Sequence, residues 1–136
     1  MKLVDLGTGL PVVVIPGIQG RWEWMKPGIR ALATRCRVIT FSLADEPTCG
    51  GRFDERAGFA CYVDQVREAM DQAGVERAAV CGVSYGGLVA AAFAARHPDR
   101  AASRIPARPG CAAAISRYMR SEAITNSGIS SRGARR

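Results

Sequence analysis

Histidine is nearly absent from this chain: its 136 residues contain one, His97. The five cysteines (Cys36, Cys49, Cys61, Cys81, Cys111) form no CxxC pair. With one histidine and no close cysteine pair there is no metal-ligand spacing, so no metal is expected. An odd count at wide spacing also argues against a disulfide framework, and the cysteines read as reduced thiols, several of them small core hydrophobes. Long apolar runs are missing too. The longest, Leu88–Ala95, falls far short of the roughly 18 residues of a membrane-spanning helix, so no membrane partner is expected. Met1-Lys2-Leu3-Val4 is followed at once by Asp5, which leaves no signal-peptide core and makes the cytoplasm the expected location. Charge is not in large excess either. At 23% charged and 48% hydrophobic residues, the chain can bury a core, and disorder of the whole chain is excluded.

What charge there is lies unevenly. Residues 1–100 hold 12 Lys/Arg against 11 Asp/Glu, whereas residues 101–136 hold seven arginines against the single acid Glu122. The net charge of +7 therefore belongs almost wholly to the tail. A basic arm for nucleic acid is one reading, but such arms interleave aromatics for base stacking. This tail has one aromatic, Tyr118, and nucleic acid is disfavoured as a partner.

From Pro11 to Arg100 short β-rich runs alternate with helical stretches. Val12-Val13-Val14-Ile15 suits a strand buried on both faces. A short helix is predicted over about 27–35, a strand over Arg37–Phe41, and a loop rich in Gly and acids over about 42–58. The clearest helix spans about Phe59–Ala73, with Tyr62, Val66, Ala69, Met70 and Ala73 on its apolar face and Gly74 placed to stop it. A third strand, Ala78–Gly82, leads into a helix over about Tyr85–Arg96 that is apolar almost all round and expected to be buried. A further short strand near Lys2–Leu6 can open the chain. This alternation predicts an α/β fold, a parallel sheet of three to four strands with flanking helices.

One motif carries chemistry: Gly82-Val83-Ser84-Tyr85-Gly86 matches G-x-S-x-G between a strand and a helix. Glycines at both flanking second positions allow a very tight turn, which lifts the Ser84 hydroxyl above the sheet. The same turn aims the Tyr85 N–H, at a helix N-terminus, towards a developing oxyanion. The alternative is a glycine-rich turn of a nucleotide-binding fold. Residue 84 is serine where a dinucleotide fingerprint has its second glycine, and no P-loop lysine follows.

With that motif the chain resembles the N-terminal part of an α/β-hydrolase-fold protein of the serine esterase-like kind. The resemblance rests on PVVVIPGIQG (Pro11–Gly20), RVITFSLAD (Arg37–Asp45), VERAAVCGVSYGGL (Val75–Leu88) and AARHPDR (Ala94–Arg100). It implies Ser84 as nucleophile, Gly82 and Gly86 as elbow glycines, and backbone oxyanion donors at Tyr85 and Ile18. Where the family usually has His-Gly before the latter, this chain has Pro16-Gly17. Trp22, Trp24 and Met25 follow that loop and are candidates for a pocket wall or for ordinary helix–sheet packing. The implied substrate is a small molecule with an ester, thioester or similar acyl bond. No cofactor is implied, and aspartate-dependent relatives such as epoxide hydrolases are disfavoured by the serine.

A working triad also needs an acid and a base, in the chain order Ser, Asp or Glu, His. His97 comes one helix length after Ser84 and reads as a helix-end histidine. Asp45 reads as a loop cap, Asp99 lies beside His97, and Glu122 has no histidine to orient. After Arg100 the resemblance stops: Ala, Arg, Ser, Gly and Pro supply 26 of the last 36 residues, a bias that GC-rich DNA gives when read out of frame. The expectation is an N-terminal hydrolase unit over 1–100 with a divergent or frameshifted, poorly ordered tail over 101–136. Its catalysis should be impaired, and its third strand should present an edge open to self-association. The other reading is a non-catalytic α/β binding module with a basic interaction arm.

Overall fold

The computed structural model describes residues 1–102 and Arg117, so nearly all of the basic tail lies outside the described residues. Four strands, β1 (Leu3–Leu6), β2 (Pro11–Ile15), β3 (Arg37–Phe41) and β4 (Ala79–Gly82), form one sheet in the order β1-β3-β2-β4. Among the described residues three α-helices accompany them: α1 (Lys26–Ala33), α2 (Ala60–Gln72) and α3 (Tyr85–Arg96). A 3-10 turn, Trp22–Met25, precedes α1.

The central strand β2 runs parallel to both neighbours, with Val13 opposite Ile39 on β3 and Val80 on β4. The chain passes from β2 to β3 through α1 and from β3 to β4 through α2, helical crossovers that the alternation in the sequence requires. The sheet is nevertheless mixed and not wholly parallel, because β1 pairs with β3 antiparallel, Leu3 opposite Phe41. The cause lies in the connection. Only residues 7–10 separate β1 from β2, too few for a crossover of a dozen or more residues. The chain therefore reverses through Gly7 and Gly9, both at positive φ, and β1 lies on the far side of β3.

Alternate residues of the strands feed two cores. Val12, Val14 and Val38 face Met25, Ile29 and Leu32 on one side. Val13, Ile15, Ile39 and Phe41 face Val63, Val66, Met70, Val89 and Phe93 on the other. All of the strand residues named are fully buried, which is why β2 and β3 read as unbroken β-branched runs. Helix α2 ends as Gly74 predicts. With φ at 65°, Gly74 donates to the Asp71 carbonyl, and Val75 donates to the Met70 carbonyl, a Schellman closure.

Two expectations are corrected. Helix α3 is not buried all round: Gly86, Val89 and Phe93 form its buried stripe, while Leu88, Ala91, Ala94 and Ala95 are exposed. Among the described residues only the sheet and α2 cover it. The cysteines are not uniformly thiols, since Cys36 is disulfide-bonded, whereas Cys49, Cys61 and Cys81 are free. Burial pushes the Cys81 thiol up to about 12. Beyond α3 the chain turns back to the sheet, where Ala101 forms a single parallel bridge with Ala78 at the outer side of β4.

Candidate active site

Strands β2 and β4 are neighbours and parallel, so the loops leaving their C-terminal ends emerge side by side. That edge is where ligands bind in open parallel sheets. The turn from β4 into α3 is clamped to β2: the Val83 N–H donates to the Ile15 carbonyl at 3.0 Å. It then folds on itself, with Gly86 donating to the Val83 carbonyl and Gly87 to the Ser84 carbonyl, each at 2.8 Å.

Ser84 sits at the apex with φ 49° and ψ −115°, a conformation that costs a residue with a Cβ about 1–3 kcal/mol. The flanking glycines explain how the turn closes. A Cβ on Gly82 would run into the Gly86 carbonyl, and a Cβ on Gly86 would run into the carbonyls of Ile15 and Pro16. The result is an exposed serine directly ahead of a helix N-terminus. Tyr85 is the first residue of α3, where a backbone N–H has no acceptor within the helix.

The loop after β2 closes against this turn. A Cβ on Gly17 would lie 3.3 Å from the Val83 carbonyl oxygen and 3.7 Å from the Ser84 Cβ, so this loop runs close beside the nucleophile. Ile18 follows and is 77% exposed. The loop is pinned by the Gly20 N–H on the Gly17 carbonyl and by the Leu43 N–H on the Gly20 carbonyl. It is pinned again by Glu23, whose carboxylate accepts from Thr48 (3.2 Å) and Ser42 (3.4 Å), with Arg21 3.8 Å away. Burial works to raise the Glu23 carboxyl. Hydrogen bonds from its own backbone, Thr48 and Ser42, together with the Arg21 charge, outweigh it and leave the group below the usual glutamate range.

The two tryptophans part company. Trp22 is half-buried against the core beneath α1 with Lys26 Nζ 5.1 Å from its ring, and Trp24 is 69% exposed. Met25 is core. The rings beside the elbow are others: Tyr85 meets Phe59 and Tyr62 edge-on, each at 5.9 Å between centroids, and Tyr62 meets Phe53 at 5.1 Å. Sequence reasoning counted Tyr62 as part of a core stripe and passed over Phe53 and Phe59. The available signal was three aromatics, Phe53, Phe59 and Tyr62, within ten residues at the junction of the loop and α2.

Of the remaining titratable candidates, His97 stands away from the serine. His97 caps the far end of α3, about 18 Å along a 12-residue helix. Its ring packs on Phe93 at 4.9 Å, and its Nε2 is buried without a hydrogen-bond partner. Asp45 is a loop cap, as its sequence context indicates, with Oδ1 accepting the Phe53 N–H at 3.0 Å. Among the described residues no cluster of His, Cys, Asp and Glu could hold a metal ion, and no helix is long and apolar enough to cross a membrane.

Known proteins share this arrangement. Residues 11–105 match the alpha/beta hydrolase fold family profile. RutD of Azorhizobium caulinodans, named as a carbamate hydrolase, is 33% identical over 97 residues, covering 71% of this chain and 36% of the relative. A 2-hydroxymuconate semialdehyde hydrolase of Pseudomonas sp. strain CF600 is 33% identical over 110 residues, covering 73% of this chain and 36% of its own length. The chain thus spans little more than a third of these relatives. Among solved structures, an epoxide hydrolase of Vigna radiata superposes with a TM-score of 0.65 at 20% identity, covering 73% of this chain and 32% of that one. The naproxen esterase of Bacillus subtilis superposes with a TM-score of 0.63, also at 20% identity, over 73% and 35%. The elbow, the strand order and the matched span together establish that this chain belongs to the α/β-hydrolase-fold family.

Proposed function

We propose that Ser84 is an acyl-accepting nucleophile, and that the reaction of its lineage is hydrolysis of an ester, thioester or similar acyl bond in a small molecule. The observation that carries this reading is Ser84 itself: an exposed hydroxyl held at positive φ between two glycines that tolerate no side chain. In the step inferred, Ser84 Oγ attacks the acyl carbon and loses its proton. The carbonyl oxygen becomes an oxyanion facing the N–H groups of Tyr85 and Ile18, and the leaving group departs with a proton. The names of the two relatives, one a carbamate hydrolase and one a semialdehyde hydrolase, fit a serine working at a polarised carbon.

In this chain the proton has no histidine to go to, because the one histidine caps the opposite end of α3. The reading is therefore of a nucleophile without its base, which reacts slowly with activated acyl or phosphonyl groups and turns esters over at a rate several orders of magnitude below an intact triad. A fluorophosphonate, which forms a P–O bond to the serine and releases fluoride, tests it. Intact mass and peptide mapping should find one adduct per chain on Ser84 and none in Ser84→Ala. An unlabelled Ser84 would favour the second reading, a non-catalytic binding module, to which the basic tail outside the described residues gives some support.

A further inference from the structure

Four aromatic rings stand in contact where α2 and α3 begin, and one of them, Tyr85, directly follows Ser84. Tyr85 and Tyr62 rest their inner sides on the core formed by α2, α3 and the sheet, but both remain only half-buried, as does Phe53, while Phe59 is 41% exposed. Single exposed apolar residues are ordinary; a contiguous aromatic set is not. The set is also held in place before any ligand arrives. The Phe53 N–H is fixed on the Asp45 carboxylate, and the next residue, Asp54, donates its N–H to Cys61 Sγ on α2 at 3.4 Å. Phe59 and Tyr62 sit at the start of α2, and Tyr85 begins α3 one residue after Ser84.

We propose that Phe53, Phe59, Tyr62 and Tyr85 form the subsite that receives an uncharged, planar unsaturated group of the substrate next to Ser84. The proposal rests on the reading of Ser84 as nucleophile for the position of the scissile bond, but not for the binding of the group. Planarity follows from the ring geometry. The perpendicular pairs at 86° and 90° present both ring edges and ring faces, and a flat π-system gains quadrupole complementarity on either beyond the area it buries, whereas a puckered ring or flexible chain gains the buried area alone. Absence of charge follows from the rim. Asp45 is held at Phe53, and the Glu46 side chain lies against Gly20 of the loop after β2, so a Cβ there would come 2.7 Å from the Glu46 Cγ. The Tyr62 hydroxyl feels this rim: burial raises its pKa first, and Tyr85, Cys61, Asp45 and Glu46 raise it further. A carboxylate on the bound group would meet the same repulsion.

The test is binding to full-length Ser84→Ala, which cannot react, followed by the ring resonances of Phe and Tyr in NMR titrations. Methyl benzoate should give saturable shifts and bind about three- to tenfold more tightly than methyl cyclohexanecarboxylate or the anion of monomethyl terephthalate. Adding Phe59→Leu, which keeps apolar bulk at a half-exposed position and is expected to leave the fold intact, should erase most of that preference. Equal affinity for the planar and puckered esters, no saturation, or indifference to Phe59→Leu would overturn the proposal. If the titration succeeds while phosphonate labelling of Ser84 fails, the subsite stands and the nucleophile reading falls.

Discussion

At the scale of single residues the elbow stores its cost in Ser84 and removes it nowhere else. Ser84→Gly should therefore raise stability by about 1 kcal/mol in chemical denaturation while abolishing covalent labelling; the relief of positive φ exceeds the extra entropy that glycine loses on folding. Gly86→Ala should do the opposite. Its new Cβ meets two backbone carbonyls, Ile15 and Pro16, which no rotamer change can move, so a loss of about 2 kcal/mol or more is expected. An unchanged denaturation midpoint in Gly86→Ala would show that the turn is looser than described. Both glycines were legible from the sequence because the G-x-S-x-G spacing has one steric meaning between a strand and a helix. The aromatic wall was not. Tyr62 fits a helical apolar stripe equally well, and nothing local brings Tyr85 to Phe59 and Tyr62 from 23 or more positions along the chain.

At the scale of elements, the strand Arg37–Phe41 and the helix Tyr85–Arg96 were readable to the residue, since a β-branched run and a glycine–proline boundary each leave little choice. The direction of β1 was not, because Leu3–Leu6 carries no record of its partner. The burial of Gln65 was equally hidden. It is 6% exposed, donates to the Ser42 carbonyl and to Cys49 Sγ, both at 3.0 Å, and accepts the Ala44 N–H. Its role is to tie α2 to the loop after β3. Glu23 ties the loop after β2 to that same segment, and its electrostatics give a pH prediction. Its carboxyl is lowered in the folded state, so the ionised form stabilises the fold above the unfolded value of about 4.3 and that stabilisation is lost as pH falls through the lower folded value. The stability gap between the native chain and Glu23→Gln should be constant near neutrality and shrink below about pH 4. A gap independent of pH down to 3 would remove Glu23 from the account.

At the scale of the whole molecule, two apolar surfaces lack cover among the described residues: the outer edge of β4, beyond its single bridge to Ala101, and the exposed side of α3. Edges of this kind pair with other chains. Light scattering at tens of micromolar should find oligomers, and a clean monomer would count against an open edge. The proposed nucleophile, Ser84, has no histidine on its side of α3 to activate it. The pH dependence of Ser84 phosphonylation tests this most directly. Without a general base the rate should climb steadily with hydroxide from pH 6 to 9, with all label on Ser84. A rapid reaction that levels off near the ordinary histidine value of about 6.5 would reveal a base at the site and contradict the account.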